Sequence, residues 1–374
     1  MPSLIHAAVL RQTGEPPRIE QIELADPGPE EILVEIEAAG VCHSDLHYLR
    51  GELRCPLPVV PGHEGAGRVR AVGERTSGAI RVGDRVALLW RPNCGRCRQC
   101  MVGAPILCEM GAVQAQSGGL LDGTTRMRDT DGPVHHLLGA SSFAERVVVH
   151  ERSVVPVPDD IPAEIAAIAG CAVITGVGVA RNVIGRCLGE PVVVIGAGGV
   201  GLAAVMGAKL SGAHPLIAVD VDEDKLALAR RLGATHTVLA GDGDPVDDVL
   251  ALAPGGAAWV VEAVGRPQTL TTAVRMLRPL GTAVAVGLGA VGQTFDVPIN
   301  ELVQRQKKIV GSLYGSSVPA LDLPAIFELY RAGLLPLDEL IGTRYRLDGV
   351  NEAFAALAAG AVGRAVIVPG GVPA

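Results

Sequence analysis

The sequence predicts a two-domain α/β protein in which a small β-rich domain is interrupted by a doubly wound parallel sheet. Three observations carry this. At 374 residues the chain exceeds one ordinary domain. Its first 150 residues hold short alternating apolar runs among many Gly and Pro. From Pro191 onward, short apolar runs alternate with helical stretches of ten or more residues.

The early runs "HAAVL", "ILVEIEAAG", "GRVRAVG", "RVALL" and "AERVVVH" read as strands of a twisted β-domain with irregular loops. After Pro191, "PVVVIGAGGVG" reads as a strand ending in a glycine turn, and "LAAVMGAKLSG" as the helix that follows. "PLIAVD", "HTVLAG", "AAWVVEAVG" and "TAVAVGLG" continue as strands, with "EDKLALARRLGA" and "TLTTAVRMLRPLG" as helices between them. That alternation makes a parallel sheet covered on both faces. After "KKIVGSLYG", helices near "LPAIFELYRAGL" and "VNEAFAALAAG" precede a last strand, "RAVIVP". The chain is expected to leave the α/β unit around Leu313 and return to the first domain. The boundaries are 1–172 with 314–374, and 173–313.

Composition narrows the function. Apolar residues make up 48% and charged residues 19%, so a buried core is expected rather than disorder, and with 3% aromatics that core is aliphatic. The net charge of -8 and the lack of a basic block argue against a nucleic-acid partner. "MPSLIHAAVLRQTGEPP" has neither a basic lead nor a long apolar run, so no signal peptide is expected. The most apolar window, 165–180, falls short of the ~20 residues a membrane span needs and reads as core. A soluble, cytoplasmic protein is expected, and there clustered cysteines bind metal more often than they form disulfides.

"GAGGVG" supplies Gly196, Gly198 and Gly201 in a G-x-G-x-x-G pattern between a strand and a helix, with Gly199 and Val200 inside the turn. The first glycine permits the tight turn. The second lets backbone N–H groups approach a pyrophosphate, and the third lets helix and strand pack closely. The pyrophosphate would then sit at the positive end of a helix dipole. The next strand ends at Asp220, 24 positions after Gly196. A carboxylate there accepts from a ribose diol and repels a 2′-phosphate, so NAD is favoured over NADP.

"CGRCRQCMVGAPILC" places Cys94, Cys97, Cys100 and Cys108 as C-x2-C-x2-C-x7-C within a lobe of about residues 91–110. Four thiolates at short spacing close a tetrahedral shell with no open position, which is a structural zinc site. Ferredoxin-type cysteine runs begin similarly but continue with x3-C-P, absent here.

"GVCHSDLH" packs Cys42, His43, Asp45 and His47 into six positions, and a local metal site built from these four is one reading. That reading leaves unexplained His63 and Glu64 of "GHEGAG" and Cys171 of "GCAVITGVG". Together with the four-cysteine lobe, "GAGGVGL", "VDVDEDK" and "GRAVIV", these motifs resemble, in order and across nearly the whole chain, the zinc-dependent alcohol dehydrogenases of the medium-chain dehydrogenase/reductase superfamily. The "LDGTTRM…HHLLGASSF" insertion resembles the long, liver-type branch.

The resemblance implies a GroES-like catalytic domain plus a Rossmann cofactor domain, with two zinc ions per chain. It assigns Cys42, His63 and Cys171 to the catalytic zinc. Three protein ligands leave a fourth position where an alcohol oxygen binds and its pKa falls; the alkoxide then releases hydride to nicotinamide. Asp45 matches the carboxylate that orients the zinc-bound histidine, and Glu64 a glutamate close to the metal. Ser44 matches the hydroxyl that takes the substrate proton, and His47 the base that passes it to solvent. His43 and Arg364 match pyrophosphate-facing positions. Lys225 matches a lysine near the adenosine ribose, although without the family it reads as a solvated helix charge. Thr175, Val286 and Leu288 fall where the family packs the nicotinamide, and Trp90 and Leu138 where it lines the alcohol pocket; each also reads as ordinary core. Cys55 and Cys187 match no ligand position. The family favours homodimers joined through the cofactor domain, with tetramers the other arrangement.

The expected activity is NAD-dependent interconversion of an alcohol and its aldehyde or ketone. A second reading is oxidation of a thiol–formaldehyde adduct, with Glu52 near that branch's acidic substrate contact. Ala112 weakens it by replacing the arginine those relatives carry. A non-catalytic binding protein of the same fold is a third, opposed by the complete ligand set with Ser44 and His47.

Overall fold

The apolar runs after Pro191 form one parallel sheet of six strands. Their order across the sheet is His236–Leu239, Leu216–Asp220, Val192–Ile195, Ala257–Glu262, Leu277–Ala285 and Lys308–Gly311. Chain order therefore reverses at Val192–Ile195, beside which Ala257–Glu262 packs after a crossover. Val193, Ile195, Ile217, Val219 and Val260 are almost wholly buried, as expected of strands covered on both faces. The computed structural model describes residues 3–241 and 243–371.

Two units divide the chain. One runs through Cys171 and adds Val318–Glu328 and the residues from Ile341 onward. The other comprises Ala172–Ser317 and Leu329–Leu340. The second boundary departs from the sequence reading, which gave everything after residue 313 to the first domain. Leu329–Leu340 belongs with the parallel-sheet unit, where Glu339 pairs with Arg231 at 2.9 Å.

In the first unit, a seven-stranded sheet takes the order Val154–Val157, Arg85–Leu88, Glu64–Val72, Glu31–Gly40, Arg364–Ile367 and Ile341–Tyr345, with Arg146–His150 also pairing Glu31–Gly40. The last strand of the chain thus lies beside one of the first. Gly40 pairs with Glu64 on one side and Val366 on the other. A Cβ at Gly40 would stand 2.1 Å from a Glu64 carboxylate oxygen, so a larger residue would push that carboxylate from its place. A second sheet orders Ser3–Val9, Arg18–Leu24, Met127–Asp129, Gly132–His136 and Val59–Val60. The core of this unit is aliphatic, with Phe143 and Phe354 meeting edge to face at 5.8 Å.

Two local readings change. The expected helix through "TLTTAVRMLRPLG" stops at Arg275, and a strand begins at Leu277. Pro279 has no N–H to continue a helix, and the strand is irregular there, with Leu280 at φ 66°. The apolar window at 165–180 is part of a helical run, Ala163–Ile184, of 22 residues, long enough to cross a membrane. Length therefore does not exclude a span; burial of most of the run inside the protein marks it as core. Two π-helical segments, Ala169–Val173 and Val179–Ile184, interrupt it, and the first contains Cys171.

His136, at the end of Gly132–His136, is fully buried, and its Nδ1 has no hydrogen-bond partner among the described residues. Burial, reinforced by the Arg126 charge, pushes its pKa down to about 3. The folded protein keeps this imidazole neutral, while the unfolded chain protonates it below about pH 6.5. Its contribution is intact above that pH and falls as the pH drops toward 3. Between pH 6.5 and 5 the loss is about 1.6 kcal/mol. Urea unfolding at both pH values is expected to show a smaller drop for His136→Leu than for the wild type; equal drops reject this account.

Candidate active site

Cys42 begins the helix His43–Arg50 as its N-cap, and Asp45, one turn in, returns its carboxylate to the Cys42 amide at 3.2 Å. The same carboxylate reaches the loop before Glu64–Val72, accepting from Gly62 N at 3.2 Å and bonding His63 Nδ1 at 2.9 Å. That orients His63 with Nε2 facing the thiols, 3.4 Å from Cys171 Sγ. Cys42, His63, Glu64 and Cys171 are all buried, and their ligand atoms lie within 4.8 Å of one another. A tetrahedral zinc with ordinary bond lengths needs a nitrogen–sulfur separation of about 3.6 Å, so this donor set fits the ion.

Electrostatics match the geometry. The hydrogen bond from Cys171, helped by the charge of Arg364, holds the Cys42 thiol well below its usual range; the same bond and burial push Cys171 up. Burial works against protonation of His63, but the charges of Asp45 and Cys42 outweigh it and raise its pKa. Burial raises Glu64 against the opposing effect of Arg364. Arg364 is itself buried and grips Glu64 through two nitrogens, Nε at 3.0 Å. Its partner in the structure is therefore Glu64, a pairing the sequence reading did not foresee.

Cys94, Cys97, Cys100 and Cys108 form a second cluster of the same compactness. Cys97 Sγ lies 3.6 Å from Cys100 Sγ and 3.8 Å from Cys108 Sγ. A tetrahedron with Zn–S bonds of about 2.3 Å has edges of about 3.8 Å. Backbone amides of Arg96 and Cys97 donate to Cys94 Sγ. None of the eight cysteines forms a disulfide.

Ser44 and His47 stand three residues apart on the same helix, both half-buried, while His43 is exposed. Glu52 bonds His47 Nδ1, a contact the sequence reading missed because it considered Glu52 only against substrate. Trp90 meets His63 edge-on at 6.2 Å, putting an indole beside the group of candidate ligands. Leu138 is buried at φ 54°, unusual for a γ-branched residue, and its carbonyl accepts from Gln114 Nε2 at 3.0 Å.

In the parallel-sheet unit, Gly196 takes φ 94°, and a Cβ on Gly201 would lie 1.7 Å from the Gly196 carbonyl. A Cβ on Gly198 would meet nothing within 4 Å. The turn is thus tightly packed on one side and open at the start of the helix Gly199–Leu210, a cradle that fits a pyrophosphate. Val200 lies in that helix's first turn. Asp220, at the end of Leu216–Asp220, accepts from Ala197 N at 2.6 Å and so stands against the glycine turn. Lys225 sits in the first turn of Glu223–Leu232, capped by Asp222. Thr175 is buried, and Val286 and Leu288 follow the strand Leu277–Ala285. The Glu262 carbonyl accepts from Val286 N and Gly287 N, and its carboxylate holds Val264 N, Gly265 N and Thr269 Oγ1.

Residues 28–159 match the alcohol dehydrogenase GroES-like domain and residues 199–330 the zinc-binding dehydrogenase domain. The NDMA-dependent alcohol dehydrogenase of Amycolatopsis methanolica is 39% identical over 368 residues, 97% of this chain and 98% of that one. The chain belongs to the zinc-dependent alcohol dehydrogenases. The enzyme is also 36% identical to geraniol dehydrogenase of Castellaniella defragrans, over 97% of both chains. Benzyl alcohol dehydrogenase of Acinetobacter calcoaceticus superposes with a TM-score of 0.92 at 33% identity, covering 98% of this chain and 99% of that one. It is therefore a zinc-dependent alcohol oxidoreductase acting on small-molecule alcohols.

Elemental analysis is expected to find two zinc ions per chain, falling to one in Cys97→Ser. Asp45→Asn is expected to weaken zinc binding about 10- to 100-fold in chelator competition. Unchanged affinity in that variant rules out the orienting role.

Proposed function

We propose that the enzyme oxidises primary alcohols with NAD as hydride acceptor, and reduces the matching aldehydes, as a cytoplasmic homodimer. The observation that carries the cofactor choice is Asp220, whose carboxylate stands at the strand end beside the open glycine cradle. A negative charge there favours a ribose diol over a 2′-phosphate. Gly198, Gly199 and Val200 would offer the helix N-terminus to the pyrophosphate, with Lys225 toward the ribose and Thr175, Val286 and Leu288 toward the nicotinamide.

Cys42, His63 and Cys171 would hold the catalytic zinc, which supplies Lewis-acid polarisation of the alcohol oxygen. Asp45 keeps the Nδ1 proton on His63 so that Nε2 is a ligand. Ser44 Oγ takes the proton the alcohol gives up, and His47 Nε2 takes it onward. Trp90 and Leu138 shape the apolar side of the pocket. An indole edge-on to His63 suits flat, unsaturated substrates, as do the names of the geraniol and benzyl alcohol relatives. Dimerisation is supported by the sheet's edge at Lys308–Gly311 and by exposed Ile299 and Val303 on the helix leading into it. The NDMA-dependent relative favours a second reading, in which turnover requires NDMA as electron acceptor in place of free NAD.

The test uses zinc-replete enzyme and benzyl alcohol, geraniol, ethanol or a thiol–formaldehyde adduct, following NADH or NADPH absorbance with NAD or NADP and loss of the NDMA absorbance with NDMA. Turnover of benzyl alcohol or geraniol with NAD, at least tenfold better than with NADP, is expected. Asp220→Ala is expected to narrow that gap by tenfold or more; an unchanged NAD/NADP ratio contradicts the assignment. Activity confined to NDMA supports the second reading, and activity confined to the adduct rejects the free-alcohol reading.

A further inference from the structure

Gly51 ends the helix His43–Arg50 with φ 75°, and a Cβ there would stand 2.5 Å from Thr13 Cγ2. Conformation and space both demand glycine at this helix end. The turn sends the chain back along the helix, with the amides of Glu52 and Leu53 donating to the His47 carbonyl at 2.9 and 3.3 Å. The Glu52 side chain is thereby returned over the last helical turn, where its carboxylate bonds His47 Nδ1. Both side chains are partly covered, His47 at 23% exposure and Glu52 at 35%.

An ionised carboxylate only accepts hydrogen bonds, so Nδ1 carries the proton in this pair and Nε2 carries the lone pair. We propose that Glu52 is a positioning residue for the proton relay: it holds His47 in the Nδ1–H tautomer, with Nε2 ready to accept. This rests on the relay role given to His47 above. One proton arrives at Nε2 from the Ser44 side, and the imidazolium so formed lies against the Glu52 carboxylate. The same proton then leaves Nε2 for solvent, and the ring returns to its starting tautomer without rotating. Without the carboxylate, the neutral ring divides between two tautomers. One of them already has Nε2 protonated and accepts nothing. The helix end does the same work here that Asp45 does for His63: a carboxylate on Nδ1 decides what Nε2 offers.

The test uses the zinc-replete, full-length enzyme with saturating NAD and benzyl alcohol. Glu52→Ala is expected to lower kcat about tenfold, with KM for NAD changed less than about twofold. Glu52→Gln, whose side-chain oxygen still accepts from Nδ1, is expected to recover most of the rate. In the double variant His47→Gln/Glu52→Ala, the second substitution is expected to cost nothing further, because its effect acts through the imidazole. A merely structural Glu52 would lower the rate equally in both backgrounds, and that result overturns the proposal, as does an unchanged kcat in Glu52→Ala when His47→Gln is slow. A second readout needs no turnover: imidazole 15N shifts of histidine-labelled, zinc-replete protein at alkaline pH. His47 is expected as the Nδ1–H tautomer in the wild type and as a mixture in Glu52→Ala; identical spectra overturn the proposal. If His47→Gln turns over at the wild-type rate, the relay role itself fails, while the 15N shifts still decide whether Glu52 holds the ring.

Discussion

The carboxylate of Asp45 is completely buried and bonded to three groups: the Cys42 amide, the Gly62 amide and His63 Nδ1. A buried carboxylate without such partners would be costly, so its presence forces the backbone on both sides to come to it. It ties the start of one helix to a loop 17 to 18 residues further along the chain. Cys42 and His63 are fixed relative to each other by that single group. Cys171 then enters from a π-helical segment, where the extra residue per turn re-aims one side chain without ending the helix.

A second buried charge pair, Glu64 with Arg364, stands beside the cluster. Taking both ions out of water is expensive, and such pairs are weak evidence of stability in themselves. Their placement makes sense as charge balance. Two thiolates and the carboxylates of Glu64 and Asp45 carry four negative charges, of which a divalent cation and Arg364 offset three. The guanidinium thus lets an acidic side chain stand near a metal site in a region that excludes water. Gly40 is the steric condition for this, since any side chain there would occupy the place of the Glu64 carboxylate.

Much of this was legible in the residues. Apolar runs such as "VVVI" and "LIAVD" announced the parallel sheet because strands buried on both faces need no alternation. The cysteine spacing around Cys94–Cys108 and the glycines from Gly196 to Gly201 carried their geometry locally, and the structure brings those atoms together. Cys42, His63 and Cys171 were linked only through a family resemblance, because nothing in a linear spacing of 21 and 108 residues states a contact. What stayed hidden were pairings between distant segments and returns of the chain. Arg364 reads as a lone arginine before a strand until that strand is seen beside Glu31–Gly40. Glu52 lay in plain view, five residues after His47 and just past a helix-ending glycine. Its meaning depended on knowing that the helix stops at Arg50. The helical run at 163–184 was read short because its apolar window was taken to end at the charged residues Glu164 and Arg181, which the helix in fact includes.

The position of Arg364–Ile367 has a consequence for how the protein is made. This strand lies between Glu31–Gly40, formed near the start of synthesis, and Ile341–Tyr345, formed near the end. The first unit therefore leaves the ribosome with the end of Glu31–Gly40, at Ala39 and Gly40, unpaired on one side and with Glu64 lacking its arginine, and it stays so until Arg364–Ile367 is made. The parallel-sheet unit has all six of its strands by Gly311 and its last segment, Leu329–Leu340, before Arg364–Ile367 is made. One strand, Arg364–Ile367, thus makes the unit that begins the chain the later of the two to have all its segments.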